Sequence, residues 1–589
     1  MDREDKSNRW KKDSKRVGSR DLRVKILAIC LTIFAGLLGA RLFFLQVLDQ
    51  AFYEAMASGL HEKFQELFPA RGEIFVHDEK DDTLVAVATN QKLSLVYADP
   101  RQIKDVVETI KQLTGIFAWD EEIEKTFALK FANQSRRYEP IKNNVNEETL
   151  EKILALKLPG INYLRKDYRL YPEVGLGGQV FGFVGANEDG SLSGKYGIEG
   201  YFEDILAGTP GFLRSERDIA GRLIVTADRA FQPAVDGADI VLTLDRNIQY
   251  EACSRLKAQV AKYSAEGGSI IIVEPATGRI LAMCGAPDFD PNNYSQVANI
   301  NQFNNPATFN AYESGSVFKP FTMAAALDAG AIEPNTTFED TGSVMVGGWS
   351  MPISNAENKS YGVVNMTQVL ESSINTGTIF AMRQMGQDKF IEYLKKFGFG
   401  EKTRIELNSE GAGNLSSLDQ KAEVFAATAT FGQGITVTPL QLTMGYAALA
   451  NHGVLLQPQI IDEVRYADGR VEKRAVKEVR QVISDRTAEL IDAMLVSVVE
   501  NGHGKPARVP GYYIGGKTGT AQVASAGGYE NNQNIGTFGG FGPVSNPRFA
   551  MVVRIDNPQG IPWAESSAAP LFGEVADFLL RYYQVPPER

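Results

Sequence analysis

A serine and a lysine stand three residues apart, at Ser316 and Lys319, where the sequence predicts the beginning of a helix. Pro320 is tolerated only in a first helical turn and Gly330 is suited to ending a helix, so the predicted helix opens near Ser316 and closes at Gly330. Residues at i and i+3 share a helix face, so the amine can lie over the hydroxyl. Such a pair can act as nucleophile and base if burial lowers the lysine pKa.

The pair alone is a weak signal, because Ser254–Lys257 repeats the S-x-x-K spacing on a predicted amphipathic helix. Two further polar triplets follow Ser316. Ser373–Asn375 begins 57 residues later in a predicted helical segment, and Lys517–Gly519 begins another 144 residues later on a predicted strand. Ser254 has no companions at these distances, so the three motifs together favour Ser316 as the reactive serine.

This order of S-x-x-K, S-x-N and K-T-G resembles the active-site motifs of penicillin-binding proteins. From about Pro69 to Phe572 the chain resembles a class B penicillin-binding protein, a monofunctional peptidoglycan D,D-transpeptidase. Ser372–Gly377 is closer to the division type, which is FtsI-like, than to the elongation type. Four more segments resemble family signatures, three of the non-catalytic pedestal domain and one of the catalytic domain: Arg71–Ile74, Arg169–Pro172, Gly197–Gly200 and Gly432–Gln441.

The resemblance implies a serine acyl-enzyme formed on a stem peptide that ends in D-Ala-D-Ala. Ser316 would attack the carbonyl, Lys319 would take its proton, Ser373 would relay a proton to the leaving amine, and backbone N–H groups of Ser316 and Thr520 would hold the oxyanion. Asn375 would hold Lys319 and the substrate amide. The expected catalytic residues are Ser316, Lys319, Ser373, Asn375 and Lys517, and the expected substrate-binding residues are Thr518, Gly519 and Thr520. No metal or cofactor is expected.

Other activities remain as alternatives. A D,D-carboxypeptidase or serine β-lactamase would hydrolyse the acyl-enzyme, but Arg404–Asn408 has arginine where a class A β-lactamase has its water-activating glutamate. A non-catalytic β-lactam sensor or scaffold would need a signalling domain, and residues 1–23 are too short for one. A Ser-His-Asp hydrolase is disfavoured, because Ser316 lacks a G-x-S-x-G frame.

Composition limits the partners. The chain has 589 residues, enough for two or more domains, and its net charge of −11 argues against nucleic acid. Only four histidines occur, without metal-ligand spacing. The resemblance implies peptidoglycan stem peptides as substrates, β-lactam antibiotics as inhibitors, and a SEDS-type glycosyltransferase with division or elongation complex proteins as partners.

The N-terminal region predicts a single membrane anchor. Ile26–Leu48 is a 23-residue apolar run interrupted by Arg41 and Gln46, long enough to cross a bilayer. Ten Lys or Arg precede it against five Asp or Glu, which predicts a cytoplasmic N-terminus and an extracytoplasmic remainder in the bacterial inner membrane. A signal peptide cleaved near Ala40 is the alternative, although the apolar run continues beyond that point.

The expected fold class is α+β, with a penicillin-binding or serine β-lactamase-like catalytic domain, an elongated pedestal domain and one transmembrane helix. The expected organisation is a cytoplasmic tail at 1–23, the transmembrane helix at 24–48, the pedestal (dimerisation-like) domain at 49–235 and the transpeptidase domain at 236–589. Residues 101–157 are expected to be helical. Strands are expected at Leu223–Thr226 and Tyr512–Ile514, among others.

The three cysteines make no disulfide framework. Cys30 lies in the apolar run. A Cys253–Cys284 bridge is possible, but two separately buried thiols are favoured.

Overall fold

The computed structural model describes residues 26–39, 62–189, 191–216, 230–525 and 528–589. Two compact units result, one from Met1–Pro69 with Thr209–Val235 and one from Ala70–Gly208 with Asp236–Arg589. Residues 26–39 are helical. Within the described ranges no helix is both long and apolar enough to cross a bilayer. Residues 40–48 of the predicted span and the predicted strand at 223–226 lie outside the described residues.

The strands, in chain order, are β1 (Glu62–Leu67), β2 (Ile74–Asp78), β3 (Thr83–Ala98), β4 (Glu139–Val145), β5 (Ile161–Leu170), β6 (Phe183–Ala186), β7 (Leu192–Lys195), β8 (Gly211–Glu216), β9 (Ala230–Gln232), β10 (Asp239–Asp245), β11 (Gly267–Val273), β12 (Ile280–Ala286), β13 (Thr337–Asp340), β14 (Ser343–Val344), β15 (Ile353–Ser354), β16 (Gly362–Asn365), β17 (Val454–Leu456), β18 (Ile461–Arg465), β19 (Val471–Lys473), β20 (Glu478–Gln481), β21 (Gly515–Ser525), β22 (Gly528–Gly542) and β23 (Phe549–Asp556). In the first unit, β1, β8 and β9 form an antiparallel sheet.

The α-helices of the region from residue 70 onward are α1 (Val106–Phe117), α2 (Glu121–Ala132), α3 (Glu147–Ala155), α4 (Gly178–Phe181), α5 (Gly197–Tyr201), α6 (Glu203–Leu206), α7 (Arg246–Lys262), α8 (Pro306–Phe309), α9 (Lys319–Asp328), α10 (Met366–Glu371), α11 (Asn375–Met385), α12 (Gln387–Lys396), α13 (Glu423–Ala429), α14 (Pro439–Ala450), α15 (Asp485–Glu500) and α16 (Ala568–Tyr582).

One sheet of the second unit joins strands from both halves of the chain. Its order is β19-β18-β10-β2-β3-β4, and β5 also pairs with β3. β10 runs parallel to β2 and antiparallel to β18. The prediction that residues 101–157 are helical is therefore partly wrong: α1, α2 and α3 occur there, but β4 lies between α2 and α3 and pairs with β3.

The other large sheet is antiparallel, in the order β12-β11-β23-β22-β21, with β21 at its edge. Its faces are covered by different helices because side chains alternate along each strand. Ile270 and Val553 pack with residues of α7 and α16, whereas Ile271 and Val552 join the core that contains α9 and α14. Helices on both faces of an antiparallel sheet confirm the α+β class.

Two local predictions are corrected by the packing. Cys253 on α7 and Cys284 on β12 form a disulfide, so the preference for two free thiols is wrong; α7 packs against β12 and brings the two Cα atoms within 5.2 Å. The predicted strand at Tyr512–Ile514 is wrong, since β21 begins at Gly515. This segment contacts the C-terminal segment instead, where the Tyr512 hydroxyl donates to the carbonyl oxygen of Val585.

Candidate active site

Ser316 lies on a short 3₁₀ turn, Gly315–Phe318, that leads directly into α9. Gly315 has φ +62°, and a Cβ there would lie 2.8 Å from the carbonyl oxygen of Thr520, so a glycine is needed where the turn meets β21. The side chain of Ser316 is partly exposed, and its hydroxyl makes no hydrogen bond with other described residues. The oxygen is thus presented at the surface of a cavity.

Lys319 is fully buried at the start of α9. Its Nζ donates to the carbonyl oxygen of Ser373 at 2.5 Å and to the Ser373 Oγ at 3.2 Å. Burial lowers the pKa of Lys319 well below its usual value, and the charge of Lys517 lowers it further. A lower pKa favours the uncharged amine, the form that can accept a proton as a general base must.

Ser373 lies between α10 and α11 with φ +54°, a left-handed conformation that is uncommon for serine. The conformation lets its carbonyl oxygen and hydroxyl both meet Lys319. Asn375, at the start of α11, donates from Nδ2 to the carbonyl oxygen of Ser354 at 3.0 Å. The expected hydrogen bond between Asn375 and Lys319 is not found among the described residues.

Asn375 is supported by a buried polar network that the motif search missed. Asp340 accepts from the Thr376 hydroxyl at 2.6 Å and from the Asn355 amide at 2.9 and 3.0 Å, and the backbone N–H of Tyr361 donates to it at 2.8 Å. Although burial opposes the charge, these hydrogen bonds leave the pKa of Asp340 below its usual value. The network fixes the first turn of α11 against the loop that follows β15.

Lys517 lies on the edge strand β21 and is fully buried. Its Nζ donates to the carbonyl oxygen of Thr518 at 3.0 Å. Burial lowers the pKa of Lys517 to about 7, and the carboxylate of Glu565 acts in the opposite direction. A lysine in this state can be charged when a carboxylate approaches.

Gly519 and Thr520, further along β21, have different surroundings. A Cβ at Gly519 would lie 2.6 Å from the backbone nitrogen of Val317, so this residue backs against the Ser316 turn. Thr520 Oγ1 accepts a hydrogen bond from the backbone N–H of Ala564 at 3.0 Å. The close approach at Gly519 brings the strand and the serine together.

Residues of all three motifs surround one cavity of about 300 Å³. Lys319, Lys517 and Gly519 lie behind its wall, whereas the other predicted site residues line it. The cavity is lined by Gly315, Ser316, Ala356, Glu357, Lys359, Tyr361, Ser372, Ser373, Asn375, Phe431, Gln433, His503, Thr518, Thr520, Trp563 and Glu565. His503, Trp563 and Glu565 were not predicted, because they belong to no recognisable motif.

The glycine-rich segment before α14 also supports the serine turn. The backbone N–H of Gly315 donates to the carbonyl oxygen of Gly432 at 3.2 Å. A Cβ at Gly432, whose φ is +74°, would lie 2.5 Å from the carbonyl oxygen of Gly315. Gly432, the first residue of the signature Gly432–Gln441, therefore supports the serine turn by close backbone packing.

The other S-x-x-K pair is not part of this arrangement. Ser254 and Lys257 lie on α7 with both side chains exposed, and neither lines the cavity. Asp245 caps that helix by accepting from the backbone N–H of Ile248 at 2.8 Å.

The three pedestal signatures meet at one buried carboxylate. Glu199 is fully buried; its Oε1 accepts from Arg169 Nε at 2.6 Å, and its Oε2 accepts from Arg71 Nε at 2.8 Å. The hydroxyl of Tyr171 donates to Oε1 at 3.1 Å. Segments up to 128 residues apart in sequence are thereby joined by ion pairs.

Two protein-family models match the chain. The penicillin binding protein transpeptidase domain matches residues 268–577, and the penicillin-binding protein dimerisation domain matches residues 66–242. The first of these alone covers more than half of the chain.

Named relatives agree with the family models. Stage V sporulation protein D of Bacillus subtilis is 34% identical over 527 residues, which are 88% of this chain and 79% of that protein. The probable peptidoglycan D,D-transpeptidase PbpC of Pseudomonas aeruginosa is 29% identical, with 96% of each chain covered.

A solved structure agrees as well. Penicillin binding protein 3 of Mycobacterium tuberculosis, in complex with aztreonam, superposes with a TM-score of 0.68 at 27% identity, covering 89% of this chain and 98% of the other. Together these similarities show that the chain belongs to the class B penicillin-binding protein transpeptidases and contains both their dimerisation and transpeptidase domains.

Proposed function

We propose that this protein is a peptidoglycan D,D-transpeptidase that cross-links stem peptides through an ester on Ser316. The observation that carries the proposal is the buried amine of Lys319, whose pKa is lowered by burial and which donates a hydrogen bond to Ser373, one helical turn from a serine that faces a cavity. Relatives named peptidoglycan D,D-transpeptidases support the reaction class.

In the proposed acylation, Ser316 Oγ forms a bond to the carbonyl carbon of the penultimate D-alanine while the amide C–N bond breaks. The proton of the serine passes to Lys319 and then, through Ser373, to the nitrogen that leaves with the terminal D-alanine. The hydrogen bond between Lys319 Nζ and Ser373 Oγ, at 3.2 Å, supports this route. Backbone N–H groups of Ser316 and Thr520 are the proposed oxyanion donors, and Asn375 is proposed to bind the substrate amide.

The terminal carboxylate of the donor is proposed to bind at Thr518 and Thr520, both of which line the cavity, with the charge of Lys517 behind them. A bound carboxylate favours the protonated form of Lys517, since opposite charges raise the pKa of an amine. Gly519 contributes its backbone and the close contact with the serine turn.

Intact mass spectrometry after incubation with a penicillin tests the nucleophile. We expect one stable adduct that disappears in Ser316→Ala and remains in Ser254→Ala. Adduct formation in Ser316→Ala would contradict the assignment. Rapid loss of the adduct from the unaltered protein would favour β-lactam hydrolysis instead.

We further propose the four-part organisation 1–23, 24–48, 49–235 and 236–589, with the tail in the cytoplasm and the transpeptidase domain outside. The apolar run Ile26–Leu48 and the positive charge before it support this topology. The Cys253–Cys284 disulfide supports an oxidising location for the transpeptidase domain. Protease added to intact spheroplasts should digest the transpeptidase domain and spare an epitope placed on residues 1–23.

The proposed partners are a SEDS-type glycosyltransferase and the division complex, in preference to the elongation complex. The segment Ser372–Gly377 supports the division type. A fluorescent fusion should gather at division sites, and crosslinking in cells should capture the glycosyltransferase. Uniform labelling of the lateral wall would contradict the division assignment.

A further inference from the structure

A histidine and a glutamate form an ion pair on the wall of the Ser316 cavity. His503 Nδ1 lies 2.6 Å from Glu565 Oε1, and both side chains are about 40% exposed, at 43% and 39%. Both residues line the cavity together with Ser316 and Thr520. None of the proton transfers proposed so far uses this pair.

Each member of the pair is attached to an element that carries a proposed site residue. The backbone N–H of His503 donates to the carbonyl oxygen of Glu371 at 3.1 Å, and Glu371 lies two residues before Ser373. A Cβ at Gly502 would lie 2.5 Å from that same oxygen, so the loop after α15 fits closely against the end of α10.

Glu565 is held from the other side. The backbone N–H of Ala564 donates to Thr520 Oγ1 at 3.0 Å, which ties the segment after β23 to the edge strand. The ion pair therefore spans the space between the Ser373 turn and β21, and the acyl group of a substrate would lie between these elements.

The proton balance of the second half-reaction requires an additional acceptor. An alkyl amine arrives from water as an ammonium ion and must lose two protons to become an amide nitrogen. Ser316 Oγ takes up only one proton when its ester bond breaks. The Lys319–Ser373 relay can deliver that one, but it cannot keep the other and remain ready for the next cycle.

We propose that His503, oriented by Glu565, accepts the first proton of the incoming ammonium group, a role that rests on the transpeptidase function proposed above. With Nδ1–H donated to the carboxylate, the lone pair on Nε2 is available to the amine.

The step then balances. The ammonium gives one proton to His503 Nε2, and the neutral amine forms a bond to the acyl carbon. The bond from that carbon to Ser316 Oγ breaks, and the second proton passes from nitrogen to Oγ through Ser373 and Lys319. The imidazolium finally returns its proton to water.

The chain contains a matched control for this pair. His452 Nδ1 lies 2.6 Å from Asp485 Oδ1, the same atom types at the same distance, but the two side chains are 76% and 64% exposed. Neither residue lines the Ser316 cavity. Substitution of His452 removes an equivalent ion pair without touching the site.

The test uses two acceptor amines with a thioester donor that acylates the full-length protein in detergent. D-Alanine is an ammonium ion at neutral pH, whereas hydroxylamine is largely uncharged and needs no base to lose its first proton. Amide and acid products are measured by mass spectrometry for the unaltered protein, His503→Gln, Glu565→Gln and His452→Gln.

For His503→Gln we expect transfer to D-alanine to fall by about 100-fold, the lower range for general base catalysis, while transfer to hydroxylamine falls much less. Glu565→Gln should show the same selectivity with a smaller loss, and His452→Gln should behave as the unaltered protein. Equal losses for both amines, or no loss for either, would overturn the role of His503. If the unaltered protein is not acylated at Ser316, the transpeptidase proposal fails as well.

Discussion

Two buried lysines, both with lowered pKa values, lie behind the cavity wall. Burial and the charge of Lys517 lower the pKa of Lys319 well below its usual value. Burial lowers the pKa of Lys517 to about 7, and the carboxylate of Glu565 acts against that shift. Each lysine therefore suits a different task. Lys319 can receive a proton, and Lys517 can supply a positive charge for a carboxylate.

Lys319→Ala should slow acylation by penicillin by about 100-fold or more, because the serine loses its proton acceptor. The rate is followed as adduct appearance by mass spectrometry. Lys257→Ala is the matched control, since that lysine occupies the same position in the exposed S-x-x-K pair on α7. Equal rates for Lys319→Ala and the unaltered protein would exclude Lys319 as the base.

The second-order rate constant of acylation by a carboxylate-bearing penicillin should fall as pH rises through about 7. Above that pH the free protein loses the proton of Lys517 and with it the charge that attracts the carboxylate. Lys517→Arg should flatten this limb, because arginine stays protonated throughout the range. A profile that is flat from pH 6 to about 9 in the unaltered protein would contradict a carboxylate-binding role for Lys517.

At the scale of elements, the three motifs could be recognised in the sequence because the residues of each motif are close together in the chain. The residues before Pro320 had to lie in a first helical turn, and the K-T-G triplet had to lie on a strand. The ion pair between His503 and Glu565 could not be predicted from the sequence, because the two residues lie 62 positions apart and are brought together only by the fold.

The two mistaken elements have related causes. β4 carries the polar sequence Glu139–Val145, which lacks the apolar alternation of a strand and forms one by pairing with β3. Tyr512–Ile514 has strand-like residues, but its polar groups bond to the C-terminal segment. In both segments, contacts with distant parts of the chain determine the secondary structure, and the local sequence pattern does not indicate those contacts.

The Cys253–Cys284 disulfide should stabilise the packing of α7 against the β12-β11-β23-β22-β21 sheet. It closes a loop with a sequence separation of 31 residues. Removing it with Cys253→Ser and Cys284→Ser should lower the free energy of unfolding by about 3 kcal/mol.

Thermal unfolding of the purified protein, with and without reductant, measures this effect. Cys30→Ser is the control and should leave the transition unchanged. An unchanged transition in the double variant would show that the bond contributes nothing to stability.

At the scale of the whole molecule, buried charge joins distant parts of the pedestal. Arg71, Arg169 and Glu199 come from three separate segments, and the two guanidinium groups share one carboxylate that has no exposure. A sequence can supply the three segments as family signatures, but their convergence on Glu199 follows only from the structure.

Glu199→Gln should lower the free energy of unfolding by about 3–5 kcal/mol, because it removes the shared carboxylate from the buried Arg169 and leaves Arg71 paired with the partly exposed Glu203. Chemical denaturation measures the loss. Glu148→Gln, which removes an exposed pair with Lys152, should have no measurable effect. A loss no larger than that of the control would show that the buried ion pairs are replaceable.

The sheet in which β10 pairs with β2 on one side and β18 on the other joins segments matched by both family models. Truncation before Asp236 would remove β2, the parallel neighbour of β10. It would expose the unpaired backbone groups of a strand whose Ile240, Leu242 and Leu244 side chains are fully buried. Such an edge is a template for self-association, so light scattering should detect aggregates of the shortened chain. The pairing with β2 therefore protects β10 from association with other chains.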